Sequence, residues 1–407
     1  MANDRFIGAA SLLCVLALPV AASGQEVGGR AYEQTGLSAG GFTVYPAIEA
    51  GPAVTDNVAQ SPDDRRSDMG LRIAPELKVR SGWSRHSLSF DLDSEHVLYA
   101  RESDEDTNNV SLNGAFRLDV RRDLSVETEA RYSLSDENPG SADVPSGAVG
   151  RVQDQSFGGS VGTTYRPGRV VARLRGTIDW YRYGDVDLGD GSVEDNSDRD
   201  YMAPEIELRV GYDITPAVRP FISVGYGPRI HSHKTDRNGL KRDSQGVSVS
   251  AGIVLEPSSL WSGEIGLRYE MRDYDDPALK TADVVGFFGS LLWRPTRLTD
   301  VRLSVDSGLD ETSLEDASAV RYHSAVLGVS HRLRRYLTAT GELSYALDHY
   351  VGAGIDEETW QASLGLSYSI DRQIALVAGY RYTLFDSSVP DRDYTENRVT
   401  VGMRLQR

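Results

Sequence analysis

The sequence predicts an all-β fold: a transmembrane antiparallel up-and-down β-barrel of about 18 strands, preceded by a cleaved signal peptide. Three observations predict it. Runs of ten to fourteen residues alternate apolar with polar from residue 42 to the last residue, long and short connectors alternate between them, and no later apolar run approaches a spanning helix. A tilted strand needs roughly 9–11 residues to cross the hydrocarbon layer, whereas strands of soluble proteins average about 5–6.

The N-terminal residues predict secretion. Arg5 supplies a charged start, Phe6 to Val20 an apolar stretch, and small residues a cleavage zone ending at Gly24, the order found in signal peptides. Cys14, the only cysteine, lies in this segment. We therefore expect a mature chain without disulfides or thiolate chemistry.

We expect three segments: a signal peptide at 1–24, a periplasmic N-terminal segment at 25–41, and an outer-membrane β-barrel at 42–407. The barrel is predicted as one domain because no Pro/Ser-rich linker and no change of period interrupts it. Its strands are predicted from period-two alternation, which makes one face of each strand apolar. The eighteen runs are Phe42 to Gly51, Met69 to Val79, His86 to Tyr99, Asn109 to Val120, Leu124 to Ser135, Asp154 to Arg166, Val170 to Tyr183, Asp200 to Asp213, Val218 to Ile230, Asp243 to Glu256, Leu260 to Asp273, Ala282 to Arg294, Arg297 to Gly308, Ala319 to Leu333, Leu337 to Tyr350, Thr359 to Ile370, Ile374 to Phe385 and Asn397 to Arg407.

The connectors predict the orientation. Short connectors such as Pro167 and Gly168, or Pro295 and Thr296, carry turn residues that end a strand. In barrels of this kind, short turns face the periplasm and long loops face outward. The nine long connectors hold 31 acidic and 11 basic residues, so the excess acidity lies outside. A solvated surface explains most of it, and binding of divalent cations beside lipopolysaccharide is the alternative.

Aromatic residues predict two girdles at the membrane interfaces, where tryptophan and tyrosine are enriched. Trp83, Trp261 and Trp293 lie beside short turns, and Trp180, Tyr181, Tyr183, Tyr350 and Trp360 lie beside long loops. The expected partners are outer-membrane lipid and lipopolysaccharide. The outer-membrane assembly machinery is a further expected partner, although the sequence ends in Met403 to Arg407 without the terminal aromatic residue that this machinery reads in many barrels.

Charged residues of both signs lie on the polar faces and are predicted to line the lumen. One interpretation is a set of cross-strand ion pairs that holds the wall, and the other is a lining that tunes the passage of a hydrated solute. The candidates are Asp91, Asp93, Glu95, Glu127, Glu129, Arg131, Arg173, Arg175, Asp179, Glu205, Glu207, Arg209, Glu264, Arg268, Glu270 and Arg272.

The sequence offers little support for catalysis. His231 and His233 share a strand face in the predicted pattern, where such a pair could hold a metal, and His349 with Asp348 resembles a hydrolase dyad. Neither pair belongs to a recognisable motif. There is no glycine-rich phosphate loop and no basic nucleic-acid patch. We therefore expect no catalytic residue, no metal, no cofactor and no nucleic-acid partner.

Short motifs along the mature chain carry a family resemblance. Val54 to Val58 follow strand one with an Asp-Asn pair. Further stretches are Ser81 to His86, Phe116 to Leu124, Arg242 to Gly246, Trp293 to Leu298, His331 to Leu337 and Val401 to Leu405. The chain resembles the putative beta-barrel porins of bacterial exopolysaccharide systems. The resemblance implies a barrel in the cell outer membrane that passes secreted polysaccharide beside a polysaccharide-export lipoprotein, and it transfers no catalytic residue.

Barrel size predicts a channel independently of that resemblance. Eight strands fill their own interior with side chains, whereas 16 to 18 leave an aqueous lumen. We therefore expect a porin-like channel for a hydrophilic solute. The alternative is a structural or adhesive barrel whose lumen is blocked by an inward-folded loop, and the longest candidates for that loop are Asp136 to Gln153 and Gly184 to Arg199.

Overall fold

The computed structural model describes residues 34–256 and 260–407. Within these residues, eighteen antiparallel strands form one closed barrel, in which each strand pairs with the next and the last pairs with the first. The predicted barrel is therefore confirmed, whereas the predicted signal peptide and the turn at 257–259 lie outside the described residues. The strands are β1 (Phe42–Thr55), β2 (Asp68–Ser81), β3 (Ser87–Tyr99), β4 (Thr107–Arg121), β5 (Leu124–Asp136), β6 (Gln153–Tyr165), β7 (Val170–Tyr183), β8 (Tyr201–Tyr212), β9 (Val218–His231), β10 (Ser244–Leu255), β11 (Trp261–Tyr274), β12 (Ala282–Thr296), β13 (Thr299–Asp310), β14 (Ala319–Arg334), β15 (Leu337–Val351), β16 (Ile355–Ser369), β17 (Ile374–Ser387) and β18 (Tyr394–Gln406).

The two ends of the barrel differ, and we call them the turn end and the loop end. Connectors at the turn end are as short as residues 122–123, and those at the loop end reach the length of residues 184–200. One loop-end connector, 352–354, is shorter than predicted because β15 and β16 stay paired up to Tyr350 and Ile355. Gly352 allows this tight connection, since its φ is 112° and a Cβ there would lie 2.4 Å from the Asp316 carbonyl oxygen.

Small elements decorate the loop end and the N-terminal side of the barrel. Leu37–Ala39 pairs with the first residues of β1. At the loop end, Ala148–Val149, Val186–Leu188 and Val193–Glu194 form a separate three-stranded sheet. Single 3₁₀ turns lie at Ser103–Glu105 and Ser197–Arg199.

The outward faces of the strands form an apolar surface. Val285 is 66% exposed, Leu364 65% and Ile222 61%, and each lies among other apolar residues at alternate positions. Inward-facing neighbours of these residues are Val284, Ser363 and Ser223, so the alternation seen in the sequence separates a lipid-compatible face from a lumen. Among the described residues, no helix is long and apolar enough to cross a membrane.

One wall segment departs from regular pairing. β12 pairs with β13 only from Gly289 to Thr296, whereas β13 pairs with β14 along its full length. In the unpaired half, outward-facing Leu309 packs on inward-facing Ala282 and Val284. The loop-end half of β13 therefore lies inside the wall formed by β12. Runs twelve and fourteen, which flank this strand, have the least regular alternation in the sequence.

The lipid-facing assignment gives a stability prediction. Leu364→Arg places a charge near the middle of an outward face, and we expect a loss of about 2–4 kcal/mol in the free energy of unfolding from a bilayer. The control, Ala115→Arg, places the same side chain on an exposed inward face, opposite Glu129 of β5, where water solvates it, and a much smaller loss is expected. Urea titration in phospholipid vesicles measures both. Equal losses would show that the two faces are wrongly assigned.

Candidate functional site

All sixteen predicted lining residues lie on inward faces. Each shares its strand parity with buried inward-facing positions, such as Val97 on β3, Ser125 on β5, Val171 on β7, Tyr201 on β8 and Tyr274 on β11. Glu205 differs from most of the set because its side chain is exposed in the lumen. It makes no hydrogen bond or ion pair with any residue in the described part of the chain.

Many of these residues form ion pairs between nearby strands. Asp91 lies 2.5 Å from Arg80 and Glu95 2.7 Å from Arg72. Further pairs join Arg131 to Asp179 at 2.9 Å, Arg175 to Glu129 at 3.2 Å, Arg173 to Glu127 at 3.8 Å, Arg209 to Glu264 at 3.1 Å and to Glu207 at 3.6 Å, and Arg272 to Glu270 at 3.7 Å, while Arg268 lies 3.5 Å from Asp306. Of these, the two pairs between β3 and β2 join adjacent strands, where opposite charges stabilise a sheet. Arg209–Glu207 and Arg272–Glu270 lie within one strand, and the other pairs reach across one or two intervening strands, so this lining also braces the wall.

The predicted lining residues leave out the ion pairs that join the first and last strands. Arg404 on β18 donates to Glu49 on β1 at 2.8 Å and to Glu76 on β2 at 2.7 and 2.8 Å. Arg72 on β2 completes the group through a 3.0 Å bond to Glu49. The sequence does indicate that these four side chains face the lumen, because they occupy polar positions in alternating runs. Their spatial proximity follows only from barrel closure.

Arg404 gives a second stability prediction. Its removal in Arg404→Met leaves Glu49 and Glu76 short of a shared partner, and an unpaired buried polar group costs about 1–3 kcal/mol. We expect a fall of that size in unfolding free energy. The triple variant that adds Glu49→Gln and Glu76→Gln should recover much of the loss, because it removes the unpaired charge. Heat-modifiable gel mobility reports folded barrel, and no recovery in the triple variant would contradict the assignment.

The walls differ in chemistry. Along β15 to β17, inward positions near mid-height carry mostly hydroxyl and amide groups, which we call the hydroxyl wall: Thr340, Ser344, Gln361, Ser363 and Thr383. Glu342 and Arg381 are the charged residues within it. By contrast, β2, β5, β7 and β11 present several charges each. A hydrated solute would therefore meet an ion-paired side and a hydrogen-bonding side.

Access to the lumen differs between the two ends. On β4, Thr107 at the loop end is buried, whereas Asn113, Ala115 and Arg117 nearer the turn end are exposed. On β12, Ala282 is fully buried at the loop end. The lumen is therefore accessible from the turn end and covered at the loop end.

Residues 137–152, which we call the lid loop, provide much of this cover. They leave β5 and contact the far wall, where the backbone N–H of Ala142 donates to Glu357 at 2.7 Å and Tyr394 donates to Asn138 at 3.0 Å. Asp143 accepts hydrogen bonds from Thr312 at 2.7 Å and from the backbone N–H of Ser313 at 2.8 Å. Strand β5 is far around the barrel from β16 and β18. The lid loop therefore crosses the lumen.

Other loops contact the lid loop on its remaining sides. Arg151 donates to Gln60 at 2.8 Å and pairs with Glu105 at 3.0 Å. On another side, Arg392 donates to the Val144 carbonyl oxygen at 3.1 Å and to Ser146 at 3.2 Å. Val144 and Val152 pack against Val186 of the neighbouring loop. Counted along the chain, these contacts come from the first (56–67), second (100–106), fourth (184–200) and ninth (388–393) connectors of the loop end.

The neighbouring loops also bind one another, and together with the lid loop we call residues 184–200, 232–243 and 311–318 the loop cap. Arg237 lies 2.7 Å from Asp198, which joins the first two of these loops. Arg242 donates to the carbonyl oxygens of Leu314 and Ala317 at 2.7 Å each, which joins the second to the third. Arg229 on β9 anchors the third through a 2.7 Å bond to Glu311.

Inward-facing tyrosines support the loop cap from below. Tyr350 is 2% exposed and Tyr394 5%, and both hydrogen-bond to the lid loop. Tyr183 carries the Arg199 guanidinium 3.9 Å above its ring. The predicted loop-end girdle is therefore wrong for Tyr181, Tyr183 and Tyr350, which face the lumen because they share the parity of Arg173, Arg175 and Ser344 respectively.

Four of the five predicted tryptophans lie on outward strand faces near the ends of the barrel, and Trp83 lies in a turn-end connector. Trp261 and Trp293 stack at 5.5 Å near the turn end, and Trp83 contacts Phe42 at 5.2 Å in a turn-end connector. Toward the loop end, Trp180 stacks on Phe157 at 5.2 Å and Trp360 on Tyr345 at 4.4 Å.

Comparison with known protein families identifies the family of this chain. Residues 30–407 match the family described as putative beta-barrel porin 2. The chain belongs to this porin family. No curated protein matches it.

Three solved structures similar to this porin-family barrel share 14% or less of its sequence. It is similar to OccK3 of Pseudomonas aeruginosa, with 14% identity, TM-score 0.41, 89% of this chain and 96% of that chain covered. It is also similar to the copper transporter OprC, with 11% identity, TM-score 0.44 and coverages of 93% and 81%. For the FrpB iron transporter of Neisseria meningitidis the identity is 10%, the TM-score 0.43 and the coverages 88% and 65%. The porin-family barrel thus spans less than two thirds of the FrpB chain.

The histidine hypotheses are wrong in their geometry. His231 ends β9 and His233 lies in the following loop, where it contacts the Ser197 carbonyl oxygen, so they do not share a strand face. His349 pairs with Asp356 at 2.6 Å and faces away from Asp348, because adjacent strand residues point to opposite sides. Among the described residues, no group of three or more histidine, cysteine, aspartate or glutamate side chains is arranged to hold a metal.

Ion pairs in the loop cap predict its pH dependence. Burial alone would raise the pKa of Asp198, but hydrogen bonds from the Arg237 side chain and backbone hold that pKa below its usual value. Such a carboxylate stabilises the folded cap above its ordinary pKa of about 3.9, and the contribution is lost as the pH falls through the lower folded value. We expect the contribution of Asp198 to the closed fraction in conductance records to stay constant from neutral pH to about 5 and to fall below about 4.

Asp198→Asn is the control for that pH dependence. It removes the titrating group, so its records should lack the part of the acid-induced opening that Asp198 causes. An acid-induced opening below about pH 4 that is equally large in Asp198→Asn would contradict a role for this ion pair.

Proposed function

We propose that this barrel is an outer-membrane channel for a hydrophilic solute and that secreted exopolysaccharide is its cargo. The observation that carries the proposal is the polar, ion-paired lumen enclosed by eighteen strands and accessible from the turn end. Barrels of this size leave an aqueous interior, and paired charges lining it interact with solute without exposing apolar surface. The outward apolar band supports an outer-membrane location.

Passage requires the loop cap to move. The lid loop is held mainly by hydrogen bonds and ion pairs along its length and by a small cluster of valines. Water can replace such hydrogen bonds at modest net cost, about 0.5–1.5 kcal/mol for each. The proposal therefore includes a gate at the loop end, with a polysaccharide-export lipoprotein as a partner at the turn end and no catalytic step.

Vesicle swelling tests the channel. Proteoliposomes are placed in isotonic neutral sugars of increasing size, and we expect swelling rates that fall with solute size. The Leu364→Arg control reports how much swelling arises from poorly inserted protein. Absence of swelling, with folded protein shown by heat-modifiable mobility, would exclude a channel that opens without a partner.

Secretion tests the cargo. In the strain that carries this chain, deletion of its gene should reduce extracellular polysaccharide and raise the cell-associated amount, and the wild-type gene should restore both. Unchanged secretion would remove exopolysaccharide as the cargo and leave a channel for another hydrophilic solute.

A second candidate function is a structural or adhesive barrel with a blocked lumen. The crossing of the lid loop to β16 and β18 favours it, since this is the inward-folded loop that a blocked barrel needs. In that case acidic loops would bind cations or a partner outside. The two functions differ in the intact protein, because a gated channel opens at times and permits swelling, whereas a barrel permanently blocked by the lid loop permits swelling only after the lid loop is removed.

A further inference from the structure

Arg381 is exceptional among the arginines of the lumen. It faces inward from the middle of β17 and is half-buried. Within residues 34–256 and 260–407, no side chain or backbone group forms a hydrogen bond or ion pair with it. By contrast, Arg72, Arg131 and Arg404 each contact two carboxylates.

The strands on either side of Arg381 explain why it lacks a partner. Its register neighbour on β18 is Arg398, and its neighbour on β16 is Ser363. Like charges directly opposite each other on a sheet are unfavourable. Ser363 carries no charge to offset this repulsion, and Glu342, one strand further on, lies beyond ion-pair distance.

Nearby carboxylates are already occupied. Glu396 accepts hydrogen bonds from Thr55 at 2.7 Å, Gln60 at 2.9 Å and Arg398 at 3.0 Å. On the other side, Glu95 accepts from Arg72 at 2.8 Å. Glu95 and Glu396 attract Arg381 electrostatically, but they accept their hydrogen bonds from other donors, so the N–H groups of the Arg381 guanidinium stay available toward the lumen.

The surroundings of Arg381 suit a hydroxylated ligand. It lies in the hydroxyl wall, with Ser363 beside it on β16 and Thr383 two residues away on β17. A guanidinium presents a planar set of N–H donors that matches carboxylate and phosphate groups. Serine and threonine hydroxyls beside it can bond to sugar hydroxyls.

We propose that Arg381 and Arg398 form an anion subsite in the lumen that binds the acidic groups of a polysaccharide. The class of ligand is a sugar polymer with a carboxylate or phosphate on its repeating unit. This inference rests on the proposed function for the polymeric cargo, but the anion subsite itself can be measured without transport. Arg381 supplies the free donor, Arg398 adds positive potential, and the hydroxyl wall contacts the neutral part of the sugar.

Calorimetric titration of the folded protein in detergent tests the subsite. The probes are trigalacturonate for carboxylate, glucose 6-phosphate for phosphate, and maltotriose as the neutral control. We expect an acidic probe to bind more tightly than maltotriose, and Arg381→Gln to weaken that binding by about tenfold or more, which is 1.4 kcal/mol or more. Arg381→Lys should weaken it less, because it keeps the charge but loses the planar donor set.

Arg117→Gln is the matched control. Arg117 also faces the lumen but is paired with Asp119 at 2.9 Å and Glu127 at 3.3 Å, so its loss should leave acidic-sugar binding unchanged. Equal weakening in both variants, or equal binding of acidic and neutral sugars, would overturn the subsite. The carboxylate and phosphate probes identify which acidic group is preferred.

The outcome is separable from that of the channel proposal. Vesicle swelling by neutral sugar without acidic-sugar binding would retain the channel and reject the subsite. Acidic-sugar binding that depends on Arg381, without any swelling, would retain the subsite and reject a channel that opens without a partner.

Discussion

Replacement of the lid loop by a two-residue turn is expected to raise channel conductance several-fold. Asp136 and Gln153 are cross-strand partners at the ends of β5 and β6, so an Asn-Gly turn can join them without disturbing the ladder. The deletion removes the contacts to Glu357, Tyr394 and Thr312 together. What remains of the loop cap no longer has a segment that crosses the lumen.

The control for this deletion alters the loop end without opening it. Asp190→Ala with Ser192→Ala changes the exposed tip of the neighbouring loop, where these two residues bond to each other. We expect wild-type conductance from that variant. Wild-type conductance from the lid deletion as well, in protein with normal heat-modifiable mobility, would mean that the lid loop does not restrict the pathway.

A disulfide between the lid loop and the seventh loop is expected to abolish channel opening. Asp143 and Thr312 lie within hydrogen-bond distance, and the only natural cysteine, Cys14, falls in the predicted signal peptide. The double variant Asp143→Cys with Thr312→Cys should therefore form one cross-link under oxidation. A reductant should restore opening, since the cross-link is then broken.

Gel mobility shows whether that cross-link has formed. Each single-cysteine variant should conduct identically in oxidising and reducing buffer. A cross-linked protein that opens as often as the reduced one would show that opening does not require separation of these loops, and the gate would have to lie elsewhere.

The sequence was sufficient for the wall of the barrel because strand alternation is a local property. The parity of Val170 to Tyr183 places Arg173 and Arg175 in the lumen and Trp180 outside without any knowledge of the partners. The same parity would have placed Tyr181 inside and separated His349 from Asp348. Those two errors came from treating neighbouring residues as sharing one surface.

The loop cap could not be predicted in the same way. Asp143 and Thr312 are 169 residues apart, and their contact depends on where the closed barrel brings the two loops. The inward position of the loop-end half of β13 is also a tertiary effect, since Arg229 and Arg268 donate to the Leu309 and Ser307 carbonyl oxygens there. The weak alternation of runs twelve and fourteen indicates an irregular part of the wall, but it does not predict that the loop-end half of β13 lies inside that wall.

Single-channel recording in planar bilayers tests the central claim, that a polar lumen conducts and the lid loop gates it. The account predicts brief openings of the wild-type protein, sustained openings of the lid deletion, and none of the oxidised Asp143→Cys, Thr312→Cys variant. Absence of conductance from the folded lid deletion would contradict it, because a lumen that stays closed without its crossing loop is not a pathway.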